Sequence, residues 1–182
     1  MNAHAGIPTT YKGIRFRSRA EACWAVFMDE IGWTWEYEPI DLDGYIPDFL
    51  VSRGERGQLL LEVKGAVLGL GGLTEYLGKI QNSSWTGQAL IVGAMPCCIS
   101  AMGVSYYIFG KTARPENIGG SLEWDWQTSE ACWCVNCGHV TANDPAYNYR
   151  CLFCSSEDGR SANLVALAWA NAKNRTQWRP IS

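Results

Sequence analysis

The sequence predicts an α/β fold in which one helix is followed by three strands, a second helix and further strands. A small cysteine module and a C-terminal helix complete the chain. Three observations support this: apolar residues recur at helical spacing over residues 18–31, two short apolar strands flank a polar turn between residues 45 and 65, and two C-x-x-C pairs follow residue 130. With 47% hydrophobic and 18% charged residues, the composition is that of a folded protein.

The length of 182 residues suits one domain or one domain with a small added module. Residues 111–120 contain Pro115, Asn117 and two glycines, which are typical of a boundary. We therefore divide the chain into a core over residues 1–120 and a module over residues 121–182.

The net charge of −3 excludes a protein that is basic over its whole surface, so nucleic-acid binding would depend on local basic patches. No apolar run approaches the roughly 20 residues of a membrane span, and residues 1–10 lack the pattern of a signal peptide. We expect a cytoplasmic, reducing location and no membrane partner. Most of the eight cysteines are then metal ligands or buried thiols, and the adjacent Cys97 and Cys98 are interpreted as buried.

The first helix is predicted over residues 18–31. Ser18 and Glu21 have the S-x-x-E spacing of a capping box, and Gly32 ends the helix. Further helices are predicted over residues 73–82 and 161–173. Strands are predicted over residues 33–39, 88–93, 104–110 and 122–126.

The segments 45–51 and 59–65 are predicted to form an antiparallel hairpin, since the residues between them are rich in turn formers. Side chains alternate along a strand, so Glu62 and Lys64 lie on one face, where Asp48 joins them. Two close carboxylates hold a hard cation such as Mg²⁺ or Mn²⁺, and a lysine can orient a water and offset charge on a phosphate. The alternative is a surface hairpin with scattered charges.

Pro47-Asp48, thirteen further residues and then Glu62-Val63-Lys64 resemble the PD-(D/E)XK phosphodiesterase superfamily. This resemblance covers residues 11–110 and implies a restriction-endonuclease-like αβββαβ core. It implies a nuclease in which Asp48, Glu62 and the carbonyl of Val63 bind Mg²⁺ (or Mn²⁺) and Lys64 assists the attacking water. Many members carry a glutamate on the first helix, so Glu21 is either a third catalytic acid or only a helix cap.

Basic residues outside the motif are candidates for substrate binding. Arg15, Arg17 and Arg19 lie with Lys12 in a short basic stretch that also contains the aromatic residues Tyr11 and Phe16. This pattern suits a nucleic-acid backbone and equally suits a solvated edge strand. Related nucleases place a basic side chain on the second helix, and Lys79 is the candidate there. The alternative is a solvated lysine.

Cys134, Cys137, Cys151 and Cys154 form two C-x-x-C pairs separated by thirteen residues, which resemble a zinc ribbon. Four thiolates close a tetrahedral site, so we predict structural Zn²⁺ here. Cys132 and His139 are possible competing ligands, and a redox role for a single pair is the alternative.

Together these features predict a magnesium-dependent deoxyribonuclease with a C-terminal zinc ribbon. DNA is the expected partner, and a homodimer is left open. The alternative is a catalytically silent nuclease-like module that binds DNA or a protein partner. The complete Asp48, Glu62 and Lys64 set favours the enzyme.

Overall fold

The computed structural model describes residues 6–54, 57–64, 74–101, 104–134, 136–137, 140–144, 150–151, 153 and 162–177. Over these residues the protein is a mixed α/β fold with a mainly antiparallel sheet of eight strands.

The N-terminal half begins with a small hairpin, β1 (Thr9–Tyr11) and β2 (Ile14–Phe16), followed by helix α1 (Arg19–Glu30). The side chain of Ser18 accepts a hydrogen bond from the backbone N–H of Glu21, so the predicted N-cap is confirmed. Next come strands β3 (Thr34–Tyr37), β4 (Phe49–Ser52) and β5 (Gln58–Val63) and helix α2 (Thr74–Gln81).

The predicted hairpin is confirmed, because β4 and β5 pair antiparallel with Phe49 opposite Leu61 and Ser52 opposite Gln58. All three residues Leu59, Leu60 and Leu61 are fully buried. A strand covered on both faces carries a continuous apolar run, which explains this part of β5.

Strands β6 (Gln88–Ala101) and β7 (Val104–Ala113) are longer than the sequence predicts. β6 pairs parallel with β5 and antiparallel with β7, and the second pairing shifts register between Val92 and Cys97. The interpretation of both adjacent cysteines as buried is wrong. Cys98 is exposed and Cys97 is half-buried, since neighbouring residues of a strand point to opposite faces.

The C-terminal part contains β8 (Pro115–Ile118), β9 (Ser121–Trp124), β10 (Gln127–Trp133), β11 (Val140–Asp144), β12 (Arg150–Cys151) and α3 (Ala162–Arg175). β8 and β9 form a separate hairpin through Gly119 and Gly120, both with positive φ. The main sheet has the order β12-β11-β10-β7-β6-β5-β4-β3. The sheet therefore continues past residue 120. The division into residues 1–120 and 121–182 stays a prediction that the two parts fold independently.

Two apolar layers cover the sheet. The larger layer joins the sheet to α1 and α3 and contains a cluster of aromatic rings, among them Trp24, Phe27, Phe109 and Trp169. The smaller layer lies under α2 and includes Ile80 against Leu60 and Ile91. Among the described helices, none is long and apolar enough to cross a membrane.

Candidate functional site

Asp48 and Glu62 lie side by side where β4 begins and β5 ends. The register that pairs Phe49 with Leu61 brings these two residues opposite each other. The backbone N–H of Asp48 donates to Oε2 of Glu62 at 3.2 Å, and the N–H of Val63 donates to Oδ2 of Asp48 at 2.7 Å. Both acids are buried. The sheet therefore holds two carboxylates close together in a protected position.

The pKa of Asp48 is raised to about 7, first by burial and then by the negative charge of Glu62. The hydrogen bond from Val63 and the charge of Lys64 act in the opposite direction and favour the ionised carboxylate. Asp48 consequently gains or loses its proton near neutral pH, and a cation that binds between the two acids would favour the ionised form.

Lys64 follows β5 directly, and its backbone N–H donates to the carbonyl of Val92 at 2.9 Å. Its Nζ pairs with Oε1 of Glu62 and lies 4.5 Å from the centre of the Tyr76 ring. The ring of Tyr76 and the carboxylate together hold the ammonium at the two acids. The sequence analysis did not predict this contact between Tyr76 of α2 and Lys64.

Tyr45 is a residue of this site that sequence reasoning missed. Its hydroxyl donates to Oε2 of Glu62 at 2.8 Å. Burial, followed by the charge of Glu62, raises the pKa of Tyr45 far above its usual range, so the phenol remains a donor. No sequence pattern around Tyr45 predicts this hydrogen bond, because the contact depends on the path of the chain between β3 and β4.

Glu21 takes part in the N-terminal cap of α1. Its Oε1 accepts from the Ser18 hydroxyl at 2.7 Å, and its Oε2 accepts from the Tyr37 hydroxyl at 2.6 Å and from the backbone N–H of Arg17 at 3.1 Å. Its charge also raises the pKa of Asp48, although less than burial and Glu62 do. The capping role is therefore observed, and a role as a third metal-binding acid stays a prediction.

A cleft of about 550 Å³ opens beside these acids. Arg17 and Lys79 line it, whereas the predicted substrate-binding residues Arg15 and Arg19 are not among its lining residues. Residues from the turn before β4 and from the end of α2 complete the lining: Leu42, Asp43, Gly44, Tyr45, Ile46, Asn82 and Ser83. The cleft has both acidic and basic walls.

Cys134, Cys137 and Cys151 form a second candidate site at the far edge of the sheet. Their three sulfur atoms all lie within 4.8 Å of one another. Among the described residues, this is the one group of three or more side chains that could ligate a metal in this way. The sulfurs of Cys137 and Cys151 are 3.7 Å apart, close to the separation of about 3.8 Å that tetrahedral Zn–S bonds of ~2.3 Å require. This group could hold a structural metal such as zinc. Cys154 lies outside the described residues.

Backbone hydrogen bonds also support the cysteine group. The N–H of Cys137 points to the sulfur of Cys134 at 3.5 Å, and the N–H of Phe153 points to the sulfur of Cys151 at 3.3 Å. These contacts therefore suit thiolate ligands.

No family model and no solved structure matches the chain. Among curated proteins, a segment of 58 residues is 34% identical to kynurenine 3-monooxygenase from Neosartorya fischeri. This match covers 32% of the chain and 11% of the monooxygenase. In this match the chain thus spans about a tenth of the length of the monooxygenase. The similarity does not assign this chain to a family.

Proposed function

We propose that this protein is a metal-dependent nuclease that hydrolyses DNA phosphodiester bonds with a PD-(D/E)XK site. The observation that supports the proposal best is the meeting of Asp48, Glu62 and Lys64 at one cleft, where the backbone N–H groups of Asp48 and Val63 donate to the two carboxylates. These are the two acids and the lysine of the sequence motif, and their position at the mouth of a polar cleft suits chemistry on a bound phosphate.

The donor set fits Mg²⁺ or Mn²⁺. Both cations prefer oxygen ligands, and Mg²⁺ in proteins is commonly bound by one or two carboxylates and several waters. Asp48 and Glu62 would supply the carboxylate oxygens, and the carbonyl of Val63 is a further candidate ligand. When bound, such a cation polarises a phosphoryl oxygen and lowers the pKa of a bound water.

Lys64 is the residue that would act on the attacking water. Its ammonium lies against Glu62 and Tyr76, so its position is fixed before a substrate arrives. An ammonium in this position can orient a water and offset negative charge that develops on the phosphate. Lys79, which lines the same cleft, would contact a neighbouring phosphate.

A structural role for zinc completes the proposal. Cys134, Cys137 and Cys151 would be joined by Cys154 as the fourth ligand, which would close the site to substrate. The cysteine group is linked to the core by Trp33, whose indole N–H donates to the carbonyl of Val140 at 2.6 Å and whose ring contacts Phe153. Zinc would thus stabilise the edge of the sheet and contribute nothing directly to hydrolysis.

A cleavage assay tests the proposal. Supercoiled, linear and single-stranded DNA are incubated with the full chain in Mg²⁺, in Mn²⁺ and in EDTA. We expect cleavage with either cation and none in EDTA. Asp48→Asn and Glu62→Gln should abolish cleavage without loss of folded structure in circular dichroism, since each removes a carboxylate ligand.

Asp43→Asn is the matched control for this assay. Asp43 lines the cleft but is exposed, and its φ of 57° is a conformation that asparagine adopts readily. It should retain wild-type cleavage. DNA binding without cleavage under every metal condition would instead favour the silent binding module.

A further inference from the structure

Arg17 connects two acids at the entrance of the cleft. Its Nε lies 2.7 Å from Oε1 of Glu38, and its Nη2 lies 2.8 Å from Oδ1 of Asp48. The side chain of Arg17 is 59% exposed, whereas that of Asp48 is 4% exposed. The exposed guanidinium of Arg17 therefore contacts the buried carboxyl of Asp48 and, at the same time, the carboxylate of Glu38.

The oxygen that Arg17 contacts is the one that a metal would need. Oδ2 of Asp48 already accepts the hydrogen bond from the N–H of Val63. Among the described contacts Oδ1 receives no main-chain hydrogen bond, so it is the oxygen better placed for Asp48 to bind a cation in the cleft. Two positive charges at one oxygen repel each other, so a metal bound there would weaken the contact between Arg17 and Asp48.

The contact with Glu38 provides a pivot for that movement. It uses Nε, so it can persist while the two terminal nitrogens turn away from Asp48 and into the cleft. A guanidinium presents its donors in a rigid fork that matches two oxygens of a phosphate. Arg17 already lines the cleft in which the proposed substrate would lie.

We propose that Arg17 is an exchangeable counter-ion of the metal site. In the metal-free protein it pairs with Asp48, and on metal binding it transfers its terminal nitrogens to a phosphate of the substrate. This inference rests on the proposed nuclease function. It makes metal binding and substrate binding cooperative, because metal binding releases a phosphate-binding group.

The first test measures Mn²⁺ binding to the full chain without nucleic acid, by electron paramagnetic resonance of the free ion. Arg17→Gln should bind Mn²⁺ about tenfold more tightly than wild type, the lower end of the effect that one adjacent opposite charge has on the proton affinity of a carboxylate. Arg15→Gln, which removes the same charge two residues away, should bind Mn²⁺ nearly as wild type does.

The second test measures DNA affinity by fluorescence anisotropy in Ca²⁺ and in EDTA. Wild type should bind DNA more tightly in Ca²⁺, and Arg17→Gln should lose most of this difference. If Arg17→Gln does not fold, Arg17→Lys serves instead. A single ammonium cannot contact Glu38 and Asp48 as the fork does, so its Mn²⁺ affinity should also rise, by a smaller factor.

The outcomes separate this inference from the proposed function. If Mn²⁺ binding requires Asp48 but is equal in the Arg17→Gln and Arg15→Gln proteins, Arg17 is a fixed ion pair and the inference is wrong, while the nuclease assignment stands. If Asp48→Asn binds Mn²⁺ as wild type does, there is no metal at these acids and both proposals fail.

Discussion

Asp48 and Glu62 are joined through the main chain, since the backbone N–H of Asp48 donates to Oε2 of Glu62 at 3.2 Å. The carboxylate of Glu62 is thereby held by the strand that carries the other acid. The N–H of Val63, next to Glu62, donates in turn to Asp48. Neither carboxylate can move far without breaking a hydrogen bond to the backbone at the ends of these strands, so the two carboxylates are positioned before any ligand binds.

The raised pKa of Asp48 predicts a specific pH dependence of stability. Between about pH 4, near the pKa of an unfolded aspartate, and pH 7, the folded protein retains a proton on Asp48 that the unfolded chain releases. The contribution of this group to the free energy of unfolding is therefore largest below pH 4 and is lost as the pH rises through 7. Urea unfolding of wild type and Asp48→Asn, without added Mg²⁺, should show wild type losing stability relative to the variant over this range.

The same titration predicts that Mg²⁺ binding weakens below about pH 7, because the cation needs the ionised carboxylate. Calorimetric titration at pH 6 and pH 8 measures this effect.

In the urea-unfolding comparison, a stability difference between wild type and Asp48→Asn that grows with pH in favour of wild type would contradict the assignment of the raised pKa.

Lys64→Ala should lower the turnover rate by roughly 10²-fold, the scale of losing one charge-stabilising donor, with DNA affinity largely retained. Lys64→Arg should not restore the rate, because its planar fork does not reproduce a compact ammonium. Lys79→Ala is the comparison, since Lys79 lines the cleft 5.8 Å from the Tyr76 ring and has no ion pair with Glu62 among the described contacts. It should raise KM more than it lowers kcat. Equal losses of binding and turnover in Lys64→Ala would make Lys64 a phosphate anchor instead.

Elemental analysis should return about one zinc per chain, the expected content of one four-cysteine site. Metal binding to such sites supplies on the order of 10 kcal/mol of folding free energy. Cys134→Ser should therefore remove hydrogen-exchange protection from β11 and β12 while β4 and β5 remain protected. The Cys134→Ser protein should still cleave DNA at saturating Mg²⁺, and weaker DNA binding by this variant is compatible with a structural zinc. Retained protection in a zinc-free protein would refute the structural site.

Gly110→Ala should lower the free energy of unfolding by about 1–3 kcal/mol, the typical cost of overpacking. An added Cβ would lie 3.0 Å from Cα of Val92 and closer still to the carbonyl of Ile91, both rigid parts of the adjacent strand. Gly78→Ala on α2 is the matched control, because nothing lies within 4 Å of its added Cβ. It should raise stability by about 0.5–1 kcal/mol. Thermal unfolding of both variants measures the contrast, and an unchanged Gly110→Ala protein would show that the strands can separate at this point.

Local patterns in the sequence determined the elements that depend on neighbouring residues. Helix α1 and its Ser18 cap follow from side-chain spacing, and the hairpin of β4 and β5 follows from two apolar runs around a turn. The alternation of side chains also brought Asp48 and Glu62 to the same face. Hydrogen bonds in a helix or hairpin join residues close in sequence, so short patterns suffice to predict them.

Only the tertiary structure decided which residues surround those acids. Tyr45 reaches Glu62, Tyr37 reaches Glu21 and Arg17 reaches Asp48 across 17, 16 and 31 positions of sequence. The continuation of the sheet past residue 120 was equally hidden, because β10 pairs with β7 across an intervening hairpin. Such contacts depend on how whole helices and strands pack against one another. Packing is driven by the burial of apolar faces, and many arrangements of the same helices and strands could bury those faces, so local patterns alone do not select one of them.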